Sequence, residues 1–332
     1  EPRALNELFP NWKELGAPLN TEVGGDEIFY FTGAEKGSKV PNPFVPKTMH
    51  NEGNYVISLG NLCRWLAEQA EGLGIEVFPG FAATEVLYNE DGSVKGIATG
   101  DSGIDHNGEK KPSYTPGMEL HAKYTVFSEG CRGHLGKGLM EKFNLREGVD
   151  PQHYGLGIKE LWEIDPAKHQ QGLVVHTAGW PLSESGSHGG GFLYHMEDNQ
   201  VTLGLITDLG YSNPHVSPFD EMQRWKTHPE IKKFLEGGKR VSYGARAIAK
   251  GGLQSLPKMT FPGGLLVGCD AGTLNFAKIK GNHTAMKSGM IAAEVISKAI
   301  KDGRGSDELT EYKTQFESSW VFEELHTQRN FG

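Results

Sequence analysis

Cysteine is scarce in this chain: Cys63, Cys131 and Cys269 are the only three among 332 residues, far apart in sequence. No Cys-x-x-Cys pair occurs, so neither a disulfide framework nor a cysteine-ligated zinc site is encoded, and a reducing compartment is the natural reading. No apolar run reaches the ~18 residues that a transmembrane helix needs. Positive charge is not in excess. A formal net charge of −9 with 23% charged residues excludes a disordered polyelectrolyte and argues against a nucleic-acid partner. Internal repeats are absent. The chain opens Glu1-Pro2-Arg3 with no initiator Met and no basic-then-apolar leader, which reads as a segment of a longer protein.

What the chain has in abundance is glycine. Its 45 glycines are about 14% of the residues, against a usual share of about 7%. Without a Gly-X-Y period, that content implies many tight turns and close backbone approaches to a ligand. An apolar share of 37% supports a core, and the length suggests two domains at roughly 150 residues each.

The pattern changes along the chain. Residues 36–52 read as an irregular surface segment around Val40, Phe44, Val45 and Met49. Leu62, Trp65, Leu66, Gln69, Ala70 and Leu73 form a helical stripe closed by Gly72 and Gly74. A short strand is expected at 76–78, then a hairpin of 84–88 with 94–99 through Asn89-Glu90-Asp91-Gly92. A polar loop over 100–117 leads into a buried strand at 121–128. From about residue 150 the strands 154–164, 172–180, 191–196 and 200–208 predict an antiparallel sheet, covered by a helix over 217–236 that Pro229 interrupts. A strand at 264–267 then runs into a 268–272 loop and a helix from about His283 to Ile300, ended by Gly303. The tail, 306–329, is helical by spacing, with Leu309, Tyr312, Phe316 and Trp320 on one side. Two halves of a parallel-sheet domain, roughly 62–150 and 254–302, thus flank an antiparallel insertion. Such interleaving is common in flavoproteins.

Three constellations carry chemistry. In the first, a strand ending at Ser128 is followed by Glu129-Gly130-Cys131-Arg132-Gly133-His134, where Glu129, Gly130 and Gly133 would let backbone run against a dinucleotide; a plain strand-to-helix turn fits equally. In the second, Gly268-Cys269-Asp270-Ala271-Gly272 places the Asp270 carboxylate to accept from a ribityl or ribose hydroxyl. In the third, Lys278-Ile279-Lys280-Gly281-Asn282-His283-Thr284 opens a helix whose N-terminal amides would stabilise negative charge on a reduced flavin ring. The thirteen histidines form no His-x-x-x-His pair with a carboxylate partner, so no metal site is expected.

These residues, with Asn275, Lys159-Glu160-Leu161-Trp162, His176–Leu182 and Tyr243–Ala247, resemble the electron transfer flavoprotein–ubiquinone oxidoreductase family along nearly the whole chain. The resemblance implies a mixed α/β (α+β) fold: a discontinuous glutathione-reductase-like FAD domain with an inserted antiparallel-sheet quinone-binding domain. It divides the chain into 1–61, a linker and membrane-facing segment of the quinone domain; 62–150 and 254–302, the two parts of the FAD domain; 151–253, the quinone-binding domain; and 303–332, a helical tail leading to an absent iron–sulfur domain. It places FAD against Glu129, Gly130, Gly133, Gly268, Asp270, Gly272, Asn275, Lys280, Gly281 and Thr284. Ubiquinone falls on the glycine pair Gly189-Gly190 and on Phe192, in what reads as a loop at the mouth of an apolar pocket beside Val40–Pro46. On sequence alone that glycine pair reads first as a flexible hairpin entry, an order the resemblance reverses, and the Val40–Pro46 cluster is equally a satellite core.

Two parts of the family pattern are missing. Gly72-x-Gly74 and Gly155-x-Gly157 lack the third glycine and the strand–helix context of a pyrophosphate fingerprint. No cysteine follows Cys269, so the family's [4Fe–4S] cluster has no ligands here. The implied activity passes electrons from electron transfer flavoprotein through FAD to ubiquinone, at the bacterial cytoplasmic membrane or the matrix side of the mitochondrial inner membrane, with peripheral membrane contact. It needs no catalytic side chain, because the protein positions cofactors and tunes their electrostatics. The alternatives are an FAD-dependent reductase or hydroxylase of the geranylgeranyl-reductase type and a non-catalytic quinone-binding module.

Overall fold

The computed structural model describes residues 1–331, which fall into two compact units. The first comprises Glu1–Gln69, Gln152–Lys250 and Phe276–His283; the second comprises Ala70–Pro151, Gly251–Asn275 and the chain from Thr284 onward. Residues 1–61 therefore group with the strands of residues 152–250 in the first unit. The Phe276–His283 stretch, expected in the parallel-sheet domain, also lies there.

A seven-stranded sheet builds the first unit, in the order Lys239–Ala249, Tyr154–Glu163, Gln200–Asp208, Gly189–His195, Leu173–Gly179, Gly25–Gly33, Lys36–Lys39. The expectation of a purely antiparallel sheet fails at one pair. Leu173–Gly179 runs parallel to Gly25–Gly33, a pairing open to it because the two strands are far apart in the chain and no hairpin joins them. The turn between Gln200–Asp208 and its predecessor has Asp198 and Asn199 both at φ 56°. Two consecutive left-handed residues are what a type I′ hairpin turn requires, and Asp and Asn tolerate them.

Strand alternation gives this sheet two different faces. Val175, Leu193, Val201, Leu203 and Leu205 point to one side, where Met222, Trp225, Ile231 and Phe234 cover them. The covering helix is two helices, Pro218–Lys226 and Pro229–Leu235, because Pro229 lacks the amide that continuation needs. His228 caps the second through Nδ1, 3.2 Å from the Glu230 amide, and stacks on Phe31 with ring centroids 3.5 Å apart. Ser217 caps the first, its hydroxyl accepting from the Asp220 amide at 3.3 Å. Ser217→Ala is expected to lower stability by about 1 kcal/mol; a urea midpoint equal to that of the parent would show the cap contributes nothing.

The second unit holds the parallel pair Thr125–Phe127 and Gly264–Leu266, with Thr260–Phe261 antiparallel beyond it. Its core gathers Phe127, Leu139, Leu145, Phe261, Leu265, Val295, Tyr312 and Phe316. Ala83–Tyr88 and Val94–Thr99 form the hairpin expected from Asp91-Gly92, with Asp91 accepting from the Ser93 amide at 2.9 Å. Elsewhere the elements differ from expectation. The polar loop contains a second hairpin, Ser102–Ile104 with Lys110–Thr115. The single strand expected at 121–128 is two, Glu119–His121 and Thr125–Phe127. No strand forms at 76–78, where Ile75, Val77, Phe78 and Phe81 are exposed and no strand among the described residues lies alongside to pair with them. Asn282–Lys301 is the long helix, and the tail is two helices, Glu311–Glu317 and Trp320–Thr327. Leu309, Tyr312 and Phe316 are fully buried there, whereas Trp320 is only half-buried.

Candidate functional site

Within the second unit, the C-terminal ends of the two parallel strands bring Glu129 and Asp270 together. The Glu129 amide donates to Asp270 Oδ2 at 3.3 Å. Glu129 itself is committed to the next helix, His134–Lys142: its carboxylate accepts from the Gly136 amide at 2.7 Å and the Leu135 amide at 3.3 Å. Gly130 and Gly133 span the turn between strand and helix. Glu129 thus acts as a helix cap, the plain reading its sequence context left open.

The expected 268–272 loop is one helical turn, Gly268–Ala271, closed by Gly272 at φ 87°, a left-handed conformation that glycine adopts without strain. This turn presents Asp270, only 6% exposed. Burial raises its carboxyl from 3.8 to about 6, the Glu129 charge adding to the rise and the Glu129 amide opposing it. The Gly268 amide donates to Ser288 Oγ at 2.9 Å, which ties the turn to the second turn of the Asn282–Lys301 helix. Thr284, at the start of that helix, is fully buried, and so is Asn275, whose amide donates to Glu324 at 3.2 Å. The Thr273 hydroxyl is buried without a partner. A buried, reluctantly ionised carboxylate with an unsatisfied buried hydroxyl three residues further along the chain fits a ligand rich in hydroxyl groups such as the ribityl chain of FAD. The [4Fe–4S] cluster does not fit, because it requires four thiolates and the chain has three cysteines.

Lys280 and Gly281 fall in the first unit, apart from the other eight residues expected at FAD. The Lys280 ammonium donates to the Lys278 carbonyl at 3.0 Å. Between them Ile279 is held at φ 57°, a rare conformation for a β-branched residue.

Gly189 and Gly190 do not lie in a loop. They begin the Gly189–His195 strand and pair with Thr207 and Ile206. The ladder to the strand on the other side starts only at Gly191, so the glycine pair is laddered on one edge. Phe192 points away from the helices and packs over Gly204, where a Cβ would come within 2.7 Å of its ring. The cavity beside the Val40–Pro46 segment, about 150 Å³, is lined by Asp26, Ile28, Asn42, Val45, His50, Asn51 and Glu52. Its exposed lining is mostly apolar although five of these residues carry polar groups, but neither the glycine pair nor Phe192 lines it, so it is not the pocket expected at those residues. Phe44 is 79% exposed at the surface nearby.

Pairing register gives a place at the site to His176, which the family motifs contain without a role, and adds Tyr194 and Asp26. His176 lies directly across from Phe192 on the same face, Tyr194 is next along the Phe192 strand, and Asp26 stands two strands from Tyr194. Burial lowers His176 to about 4, with the Lys280 charge adding to the effect. The alternating pattern of these strands carries that signal only once the register is known.

A structural comparison defines the class. A geranylgeranyl bacteriochlorophyll reductase-like protein from Thermoplasma acidophilum matches 94% of this chain and 70% of its own with a TM-score of 0.66 at 18% identity. A flavoprotein/dehydrogenase from Cytophaga hutchinsonii matches 99% and 74% with a TM-score of 0.62 at 13% identity. The chain has the mixed α/β fold of the flavoprotein oxidoreductases. In sequence, it is 68% identical to the electron transfer flavoprotein-ubiquinone oxidoreductase of Pseudomonas aeruginosa over 100% of this chain and 60% of the relative. It is 53% identical to the mitochondrial electron transfer flavoprotein-ubiquinone oxidoreductase of Dictyostelium discoideum over 100% and 56%. The family profile described as ETF-QO, ubiquinone-binding matches residues 154–248. The chain belongs to the electron transfer flavoprotein–ubiquinone oxidoreductase family and spans about three fifths of the length of these relatives.

Proposed function

We propose that this chain is the part of an electron transfer flavoprotein–ubiquinone oxidoreductase that holds the inner end of FAD and the ubiquinone. The observation that carries the reading is that the ubiquinone-binding profile covers the five sheet strands between residues 154 and 248, among them the one in which Gly189 and Gly190 are laddered on one edge beside Phe192. An unladdered backbone edge offers amide and carbonyl groups to a quinone carbonyl, and Phe192 offers a ring face to the quinone ring. FAD, when bound, supplies the relay between a one-electron donor and a two-electron acceptor. Asp270 accepts a ribityl hydroxyl. The amides that open the Asn282–Lys301 helix, with Thr284 and Asn275 nearby, stabilise negative charge on the flavin ring. Lys280 and Gly281 lead into that helix from the quinone unit.

The partners follow: electron transfer flavoprotein as donor, ubiquinone as acceptor and a membrane surface as the source of the quinone. No helix among the described residues is long and apolar enough to cross a membrane. Contact is peripheral, and Phe44 is the exposed apolar group of the segment that would make it.

The test uses the complete enzyme with reduced electron transfer flavoprotein and decyl-ubiquinone. Phe192→Ala is expected to raise the KM for the quinone about tenfold, since one aromatic stacking contact is worth about 1.5 kcal/mol. Gly190→Val is a poor probe, because a Cβ at 190 would stand 2.7 Å from the Thr177 carbonyl and disturb the sheet. A yellow enzyme that reduces no quinone would overturn the reading in favour of a flavin-dependent reductase or hydroxylase. A colourless one would favour the binding module.

A further inference from the structure

The sheet face opposite the helices carries a buried polar chain that electron transfer alone does not need. His176 is 7% exposed, and its Nε2 stands 2.8 Å from the Tyr194 hydroxyl. Its Nδ1 is buried and takes no hydrogen bond. Burial keeps the imidazole neutral at physiological pH and raises Tyr194, so the phenol keeps its proton. With the Tyr194 hydroxyl donating to Nε2, the one imidazole proton sits on Nδ1. A buried N–H then lacks an acceptor, directly across the ladder from Phe192.

Asp26 lies two strands from Tyr194 on the same face and borders a cavity. The Asp26 carboxylate acts electrostatically on Tyr194. Asp26 Oδ2 is held by the Asn51 amide at 2.9 Å and the Asn51 side chain at 3.0 Å, while its Oδ1 is buried with no partner. Asp26 also lines the cavity of about 150 Å³ with Asn42, His50 and Glu52, a space with room for several waters. The charge that faces His176 from the neighbouring segment is Lys280.

We propose that His176 donates a hydrogen bond and then a proton from Nδ1 to one carbonyl of ubiquinone, and that the Tyr194 hydroxyl passes a replacement proton to Nε2. The proposal rests on the quinone reading above. Reduction of ubiquinone to ubiquinol takes two electrons, supplied by the reduced flavin, and two protons. At the carbonyl facing His176 an O–H bond forms as the Nδ1–H bond breaks. The Tyr194 proton moves to Nε2 as water reprotonates the phenol. Once ubiquinol has left, water protonates Nδ1 while the Nε2 proton returns through the Tyr194 oxygen, which restores the starting tautomer. Water supplies the proton for the other carbonyl.

The experiment uses the complete enzyme, with histidine labelled by ¹⁵N and decyl-ubiquinone as the probe. In the wild type the His176 proton is expected on Nδ1, with that resonance moving on addition of the quinone. Tyr194→Phe keeps the ring and removes the hydroxyl. It is expected to lower the rate of quinone reduction about 100-fold, the lower end of general-acid contributions, with the quinone dissociation constant within threefold of wild type. A proton found on Nε2 in the wild type, or a folded Tyr194→Phe enzyme that reduces quinone at the parent rate, would overturn the relay. If Tyr194→Phe does not fold, the wild-type tautomer alone decides. Decyl-ubiquinone that fails to bind the wild-type enzyme would instead remove the quinone reading beneath the proposal.

Discussion

Asp270→Asn is expected to stabilise the flavin-free protein by about 3 kcal/mol at pH 7 and to change little near pH 4. Asp270 is buried at the end of the Gly264–Leu266 strand, where desolvation, with the Glu129 charge adding, raises its carboxyl from 3.8 to about 6. The folded state therefore holds this proton more tightly than the unfolded chain does. Between pH 3.8 and about 6 the folded form binds more protons, so stability falls as pH rises through that window, and the cost is complete above it. Asparagine has no charge to desolvate, and its amide offers a donor to Glu129. Urea denaturation at pH 4 and pH 7 measures the difference. An equal effect at both pH values would sink this account of the buried charge.

With flavin bound, the sign should reverse. The ionised carboxylate then gains a hydroxyl donor, and a charge-assisted hydrogen bond contributes about 1.5–3 kcal/mol. Asp270→Asn should therefore retain less FAD on dialysis than the parent while melting higher without it. A stable variant that loses its cofactor separates a binding role from a structural one.

Glu160→Gln is expected to cost about 3–5 kcal/mol, the usual penalty for leaving a buried ion without its partner. Glu160 is 3% exposed on the helix-covered face of the seven-stranded sheet. Burial pushes its carboxyl up, but Lys226 at 2.9 Å, the Trp162 indole at 2.7 Å and Arg240 at 3.2 Å together hold it below the usual carboxylate range. The stability this ion set supplies is present above the ordinary carboxylate range and lost as pH falls through the lowered value. Replacing Glu160 strands the Lys226 ammonium, whose side chain is only 14% exposed. The double change Glu160→Gln with Lys226→Met should recover most of the loss, since an apolar replacement for a buried pair is often near neutral. Thermal unfolding of the parent, both single variants and the double variant closes the cycle. A double variant no more stable than Glu160→Gln alone would show that the cost is not the stranded lysine.

Local chemistry made several features legible in advance. The hairpin at Asp91-Gly92, the turn at Asp198-Asn199 and the helix broken at Pro229 each depend on residues within a few positions of one another. The helix Asn282–Lys301 follows from its apolar period and from its stop at Gly303. The resemblance of the glycine-rich motifs to one enzyme family also needed only the order of residues, and the relatives of Pseudomonas aeruginosa and Dictyostelium discoideum agree with it.

Other features depended on which distant strands meet. The parallel pairing of Gly25–Gly33 with Leu173–Gly179 joins segments well over a hundred residues apart, and nothing local in residues 25–33 encodes that partner. The same pairing brings Asp26 within the field of Tyr194 and sets Ile28 against His176. Gly189 and Gly190 read as a loop because glycine disfavours strands, yet Thr207 and Ile206 draw them into the ladder. Residues 76–78 read as a strand because their side chains suit one, but a strand needs a neighbour to take its amides and carbonyls. The sequence by itself determined the hairpin turns, the helix break and the family. The tertiary structure alone decided the register, and with it the side chains that share a face, because a shift of one residue between paired strands turns every side chain to the opposite side of the sheet.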